Sequence, residues 1–98
     1  MYVGALEFDL LLGEVGSIKQ KRSLVRPVVA ELRRKYAVAV SEAGHLDLHR
    51  RALIGVAAVA PDAEHVIEVL DGCDRLVSAH PEFQVLSART RWLGPHDE

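Results

Sequence analysis

The chain has 98 residues, enough for one modest core, and at 49% hydrophobic and 27% charged it has the composition of an ordinary globular protein. A net charge of −2 excludes the overall basic field common among nucleic-acid binders, and a single cysteine, Cys73, excludes an internal disulfide. No apolar run approaches membrane-spanning length and no basic leader precedes Glu7 and Asp9, so a cytoplasmic protein without a membrane partner is expected.

Tyr2 to Leu12 alternates, with Leu6, Phe8, Leu10 and Leu12 on one face and Glu7 and Asp9 on the other, which predicts a half-covered strand. Ser17 followed by Gln20 forms a capping box that starts a helix. Leu24, Val25, Val28, Val29, Leu32 and Tyr36 then make its apolar stripe. Pro27 within that stripe would remove a backbone bond and crowd the carbonyl of Ser23. Either one helix kinks there or the segment breaks near Ser23. Ser23 as a second N-cap favours the break.

"AVAVSEA" (37 to 43) reads as a short strand, "GHLDLHR" as a turn, and "RALIGVAAVA" (51 to 60), apolar on both faces, as a central strand. Asp62 caps a second helix with Val66, Ile67, Leu70, Cys73, Leu76 and Val77 as its buried stripe, ending before Pro81. Cys73 is placed there as a core residue, and Gly72 beside it suggests close packing. Glu82 to Leu93 alternates again as a last strand. The order β-α-β-β-α-β predicts an α+β, ferredoxin-like sandwich: four antiparallel strands with two helices on one face and the first and third strands central. A single domain over 1–93 and a flexible tail at 94–98 are expected.

With Leu86 and Ala88 turned to the helices, Arg89 and Arg91 would share the open face with Glu7 and Asp9. Val3, Ala5, Phe83 and Val85 would form an apolar patch there. Such a patch calls for cover, so a homodimer through this face or an edge strand is expected.

Charge is segregated. Between Ser17 and Tyr36 lie Lys19, Lys21, Arg22, Arg26, Arg33, Arg34 and Lys35 against Glu31 alone, a formal +6. Lys19, Lys21, Arg22 and Arg26 are the candidate anion-binding residues, suited to phosphates of RNA. Base stacking on the sheet is argued against, because the third strand carries no aromatic residue. His45, Asp47 and His49 form H-x-D-x-H, which would share one face if extended and so are weak candidates for a metal. No cofactor is expected. "GEVGSIKQKR" is faintly similar to the phosphate loop of acylphosphatases, with Gly13, Val15, Gly16 and Arg22 as a conceivable anion cradle. The chain has no asparagine to orient water, and its glycine-to-arginine spacing is one residue too long.

"SIKQKRSLV", "YAVAVSEAG", "DLHRRALIGVA" and "PDAEHV" resemble the YlxP-like family, also called DUF503, of small bacterial proteins. The resemblance runs from Tyr2 to about Trp92. Its most specific pieces are Ser17, Ile18, Lys19, Lys21 and Arg22 and the stretch from Asp47 to Ala57, while Pro27 departs from many relatives. It implies a ferredoxin-like fold and a role that is not established. Such proteins are commonly encoded beside factors for translation initiation and ribosome maturation. The resulting expectation is a non-enzymatic accessory protein that binds RNA or a ribosomal particle through the first helix. A protein-interaction module using the open sheet face is the alternative, and a phosphate-handling enzyme comes third.

Overall fold

β1 (Tyr2–Leu12) is buried at every second residue, as its alternation requires, and the remaining side chains point to the opposite face. In the computed structural model, which describes residues 1–94, β1 is followed by α1 (Ile18–Tyr36), β2 (Ala39–Gly44) and β3 (Arg51–Ala60). α2 (Ala63–Ser78) and β4 (Phe83–Leu93) complete the order. Residues 95–98 of the expected tail lie outside the described residues. The sheet is antiparallel throughout, ordered β2-β3-β1-β4, with both helices on one face. This is the ferredoxin-like α+β arrangement.

α1 begins as its capping residues require. The Ser17 hydroxyl accepts from the Gln20 amide at 3.0 Å, while Gln20 Oε1 accepts from the Gly16 amide at 2.9 Å. No break follows. The helix runs unbroken through Pro27, against the expectation of a second start at Ser23. Pro27 sits on the exposed side, where the Ser23 carbonyl it strands faces water and not the core. The Ser23 hydroxyl donates backward to the Gln20 carbonyl at 2.6 Å instead of capping anything ahead. At the far end Ala37 adopts a left-handed conformation (φ 51°) and its amide donates to the Arg33 carbonyl at 3.0 Å, so β2 starts two residues later than its sequence suggests.

α2 is capped by Asp62, which accepts from the His65 amide at 2.8 Å. Val66, Leu70, Cys73 and Val77 are buried, whereas Ile67 faces solvent. A side chain at Gly72 would collide with the Tyr36 ring, so the glycine lets the two helices meet. The core joins β1, β2 and β3 to both helices around Phe8, Leu10, Leu32, Ile54 and Val66. Burial pushes the Cys73 thiol up to about 11, which keeps it neutral and suits a core residue better than a nucleophile.

The last strand corrects the expected patch. From Ser87 to Leu93, β4 pairs regularly with β1, and Arg89 and Arg91 lie on the open face opposite Glu7 and Ala5. Between Ser87 and Val85 the register slips by one at Leu86, a bulge. One extra residue reverses the alternation before it. Phe83 and Val85 therefore pair beside Leu12 and Leu10 on the helix side, where Phe83 is buried and Val85 packs against the core. Neither belongs to the open face. Val3 and Ala5 do, joined by Val59 and Leu93, which flank Val3 in the register and are 63% and 47% exposed.

Candidate functional site

The basic run divides at once into an inner and an outer part. Successive helix residues turn by about 100°, so Lys19, Arg22, Arg26 and Arg33 fall within an arc of roughly 60°, while Lys21 points the other way. Lys21 is 1% exposed, a correction to its place among the anion-binding residues. Its ammonium donates to the His45 carbonyl at 2.7 Å and lies 3.6 Å from a Glu42 carboxylate oxygen. A buried ammonium needs such partners, since without them the lost hydration would not be offset. Lys21 is therefore a strut between α1 and the β2–β3 loop.

That strut belongs to a larger corner. His45 holds a left-handed backbone (φ 56°), and its ring nitrogen lies 3.3 Å from Asp9. Asp9 is gripped by Arg51, whose Nη2 reaches both carboxylate oxygens at 2.7 Å. These Arg51 hydrogen bonds hold the Asp9 carboxyl below its ordinary value, outweighing the upward push of burial, with the charges of Arg51 and His45 adding to the effect. Arg50 donates to the carbonyls of Leu12 and Gly13, and the Leu12 amide returns a bond to the Arg50 carbonyl. The two stretches that carry the family resemblance, around Lys21 and around Arg50 and Arg51, thus meet in space. Their contacts account for those residue types structurally.

The same corner dissolves the metal candidate. Residues 45–50 form turns and bends instead of continuing the strand, so His45, Asp47 and His49 lose their shared face. His45 turns to Asp9, whereas Asp47 and His49 are exposed. Among the described residues no group of three metal-ligating side chains is assembled. The glycine cradle fares no better: Gln20 already occupies the Gly16 amide and Val15 is buried.

What remains on the outer side of α1 is a continuous basic surface. Lys19, Arg22 and Arg26 are all exposed, and with Ser23 and Pro27 they line a shallow depression of about 400 Å³. A second depression of about 490 Å³ runs between α1 and the β2 edge, lined by Arg22, Arg26, Arg33, Ser41 and Glu42 over Val25 and Val29. Arg33 Nη2 donates to the Val40 carbonyl at 2.6 Å, which fixes the guanidinium against the strand while leaving its charge in place. Among the described residues the ion pairs are Lys21–Glu42, His45–Asp9 and Arg51–Asp9, so none of them engages Lys19, Arg22 or Arg26. From Lys19 to Arg33 the stripe spans about 21 Å at the rise of an α-helix. Arg33 was outside the candidates read from sequence, although its spacing of seven from Arg26 was the available signal.

The chain matches, over residues 3–90, the family model described as "Protein of unknown function (DUF503)". It is 27% identical over 91 residues to the uncharacterized protein YlxP of Bacillus subtilis (strain 168), covering 93% of this chain and 99% of that one. Among solved structures it is similar to SnoaB, a cofactor-independent oxygenase from Streptomyces nogalater, with a TM-score of 0.51 and 10% identity. That alignment covers 97% of this chain and 93% of SnoaB, a likeness of fold alone. No helix of the structure is long and apolar enough to cross a membrane.

Proposed function

For a chain that belongs to the DUF503 family of proteins of unknown function, we propose a non-enzymatic accessory role in which the outer side of α1 holds the phosphate backbone of RNA or of a ribosomal particle. The observation that carries this reading is the exposed row Lys19, Arg22 and Arg26, outside the ion pairs of the described residues and continued by Arg33. Cations of long side chains on one helix face suit a polyanion whose charges repeat, and they ask for little base specificity. The sheet offers no stacking platform, because Trp92 faces the α2 side and β3 lacks aromatics.

Fluorescence anisotropy of a labelled ribosomal RNA fragment tests it. Wild type should bind at low salt, and the Lys19/Arg22/Arg26→Ala variant should lose about tenfold or more in affinity. Equal binding by the two proteins removes the proposal. Lys21 stays untouched in that variant, because its loss would confuse unfolding with weaker binding.

A second reading rests on Val3, Val59 and Leu93, which form an apolar row at one end of the open face. A second copy packed there would bury it. Light scattering on a Val59→Glu variant should then show a dimer falling to monomer, and a wild type that is monomeric at high concentration discards this reading.

A further inference from the structure

The two edges of the sheet are built differently. β2 is six residues long, slips in register between Glu42 and Gly44, and has its Val40 carbonyl occupied by Arg33. Short length, a bulge and a covering charge are the devices that keep an edge from recruiting another strand. β4 has eleven residues, and every residue from Leu86 to Leu93 is exposed. Between it and α2 lies a groove of about 280 Å³ lined by Ile67, Leu70, Asp71, Asp74, Thr90 and Trp92. The stretch from Ser87 to Leu93 pairs with β1 without a slip, so its outer side is a straight edge about 20 Å long.

Charge decides what can occupy that edge. Arg89 and Arg91 sit two residues apart on one face of it. Two copies pairing antiparallel about a two-fold axis through Thr90 would set each Arg89 opposite the other copy's Arg91. Centring the axis on Arg89 or on Arg91 sets that residue against itself. Any other centre leaves at most three residues paired before the Leu86 bulge or the strand end intervenes. Like charges directly opposite each other destabilise a strand pair, so a second copy is a poor occupant. A strand with carboxylates at alternate positions is a good one, since it sets opposite charges against Arg89 and Arg91. β1 already places Glu7 opposite Arg89 in the register, though no ion pair among the described residues joins the two directly.

We propose that the outer edge of β4 receives an extended acidic segment of another protein as an added strand, with acidic residues opposite Arg89 and Arg91. Its intervening residues, small or hydroxyl-bearing, would lie on the side of Ala88, Thr90 and Trp92. There Asp71 and Asp74 of α2 line the groove and exclude further carboxylates, so that the acidic residues keep to the face of Arg89 and Arg91. This docking uses a different surface from the stripe on α1 and stands or falls independently of it.

The test is a titration of isotope-labelled protein with a short synthetic peptide alternating glutamate with threonine, beside its lysine-for-glutamate counterpart. The acidic peptide should shift and protect the backbone amides of Ser87 to Leu93. An Arg89→Glu/Arg91→Glu variant should weaken it by about tenfold or more and should instead favour the lysine peptide. A milder Arg89→Gln/Arg91→Gln variant, checked for an unchanged melting curve, should show the first effect without the second. The proposal is overturned by equal binding of both peptides to wild type, by no binding at about 1 mM, or by shifts confined to α1. Protection of Ser87 to Leu93 by RNA and not by peptide would equally overturn it.

Discussion

The corner closed by Lys21 and the outer side of α1 are made from one basic run, yet they are chemically opposite. Lys21 is buried with its ammonium bonded to the His45 carbonyl, while Arg22, next in the chain, stands in solvent. One helical step of about 100° separates them. The difference shows that a count of cations says little until the helix sorts them. Inside, a charge must be matched by fixed partners and becomes structure. Outside, with water as its partner, it stays available to a ligand.

Lys21→Ala should have the largest effect, because it removes a buried stem and leaves the loop carbonyl and Glu42 without their donor. We expect a loss of about 3 kcal/mol in urea unfolding. A loss below about 0.5 kcal/mol would erase the distinction between the inner and outer charges. Pro27→Ala should act in the other direction, restoring the Ser23 hydrogen bond on the exposed side and adding about 2 kcal/mol. RNA affinity should not move with it, since Pro27 contributes no charge. A large affinity change would mean that the shape of α1 at Pro27 is part of the binding surface.

Asp9→Asn probes the corner through pH. The folded-state pKa of Asp9 is lowered by Arg51, so its contribution is fully present above the unfolded carboxylate value and fades as pH falls through the lower folded value. Wild type should therefore lose stability through that acid window, and Asp9→Asn should show a flatter profile there and a lower stability at neutral pH. Parallel profiles for the two proteins would show that the Arg51 grip contributes nothing to folding.

The element order, both N-caps and the α2 core stripe apart from Ile67 were legible in the sequence because each rests on local spacing or capping chemistry. Gly72 was legible as a packing position for a similar reason, its place beside a buried stripe. Three features were not legible. Pro27 reads as a breaker, but its cost depends on whether the stranded carbonyl faces core or water, which is a tertiary fact. Phe83 and Val85 alternate correctly for the open face, and a single bulged residue at Leu86 inverts them. Lys21 carries the residue type of a surface charge. Only its phase, between the buried Val25 and Val28 on the helical wheel, could have placed it inside. For the candidate site, Lys19, Arg22 and Arg26 stand exposed as their residue types suggest, Lys21 is buried against expectation, and Arg33 shares their face of the helix although it was not singled out.

The most direct test is the salt dependence of RNA binding, measured beside the urea midpoint on the same two proteins. With the four cations Lys19, Arg22, Arg26 and Arg33 neutralising phosphates of a single strand, the log–log slope for wild type should be roughly −3. The Lys19/Arg22/Arg26→Ala variant should keep the wild-type midpoint and reduce that slope to roughly −1, the share left to Arg33. A variant that keeps both its midpoint and the full slope would contradict the assignment of the outer side of α1 as the anion-binding surface.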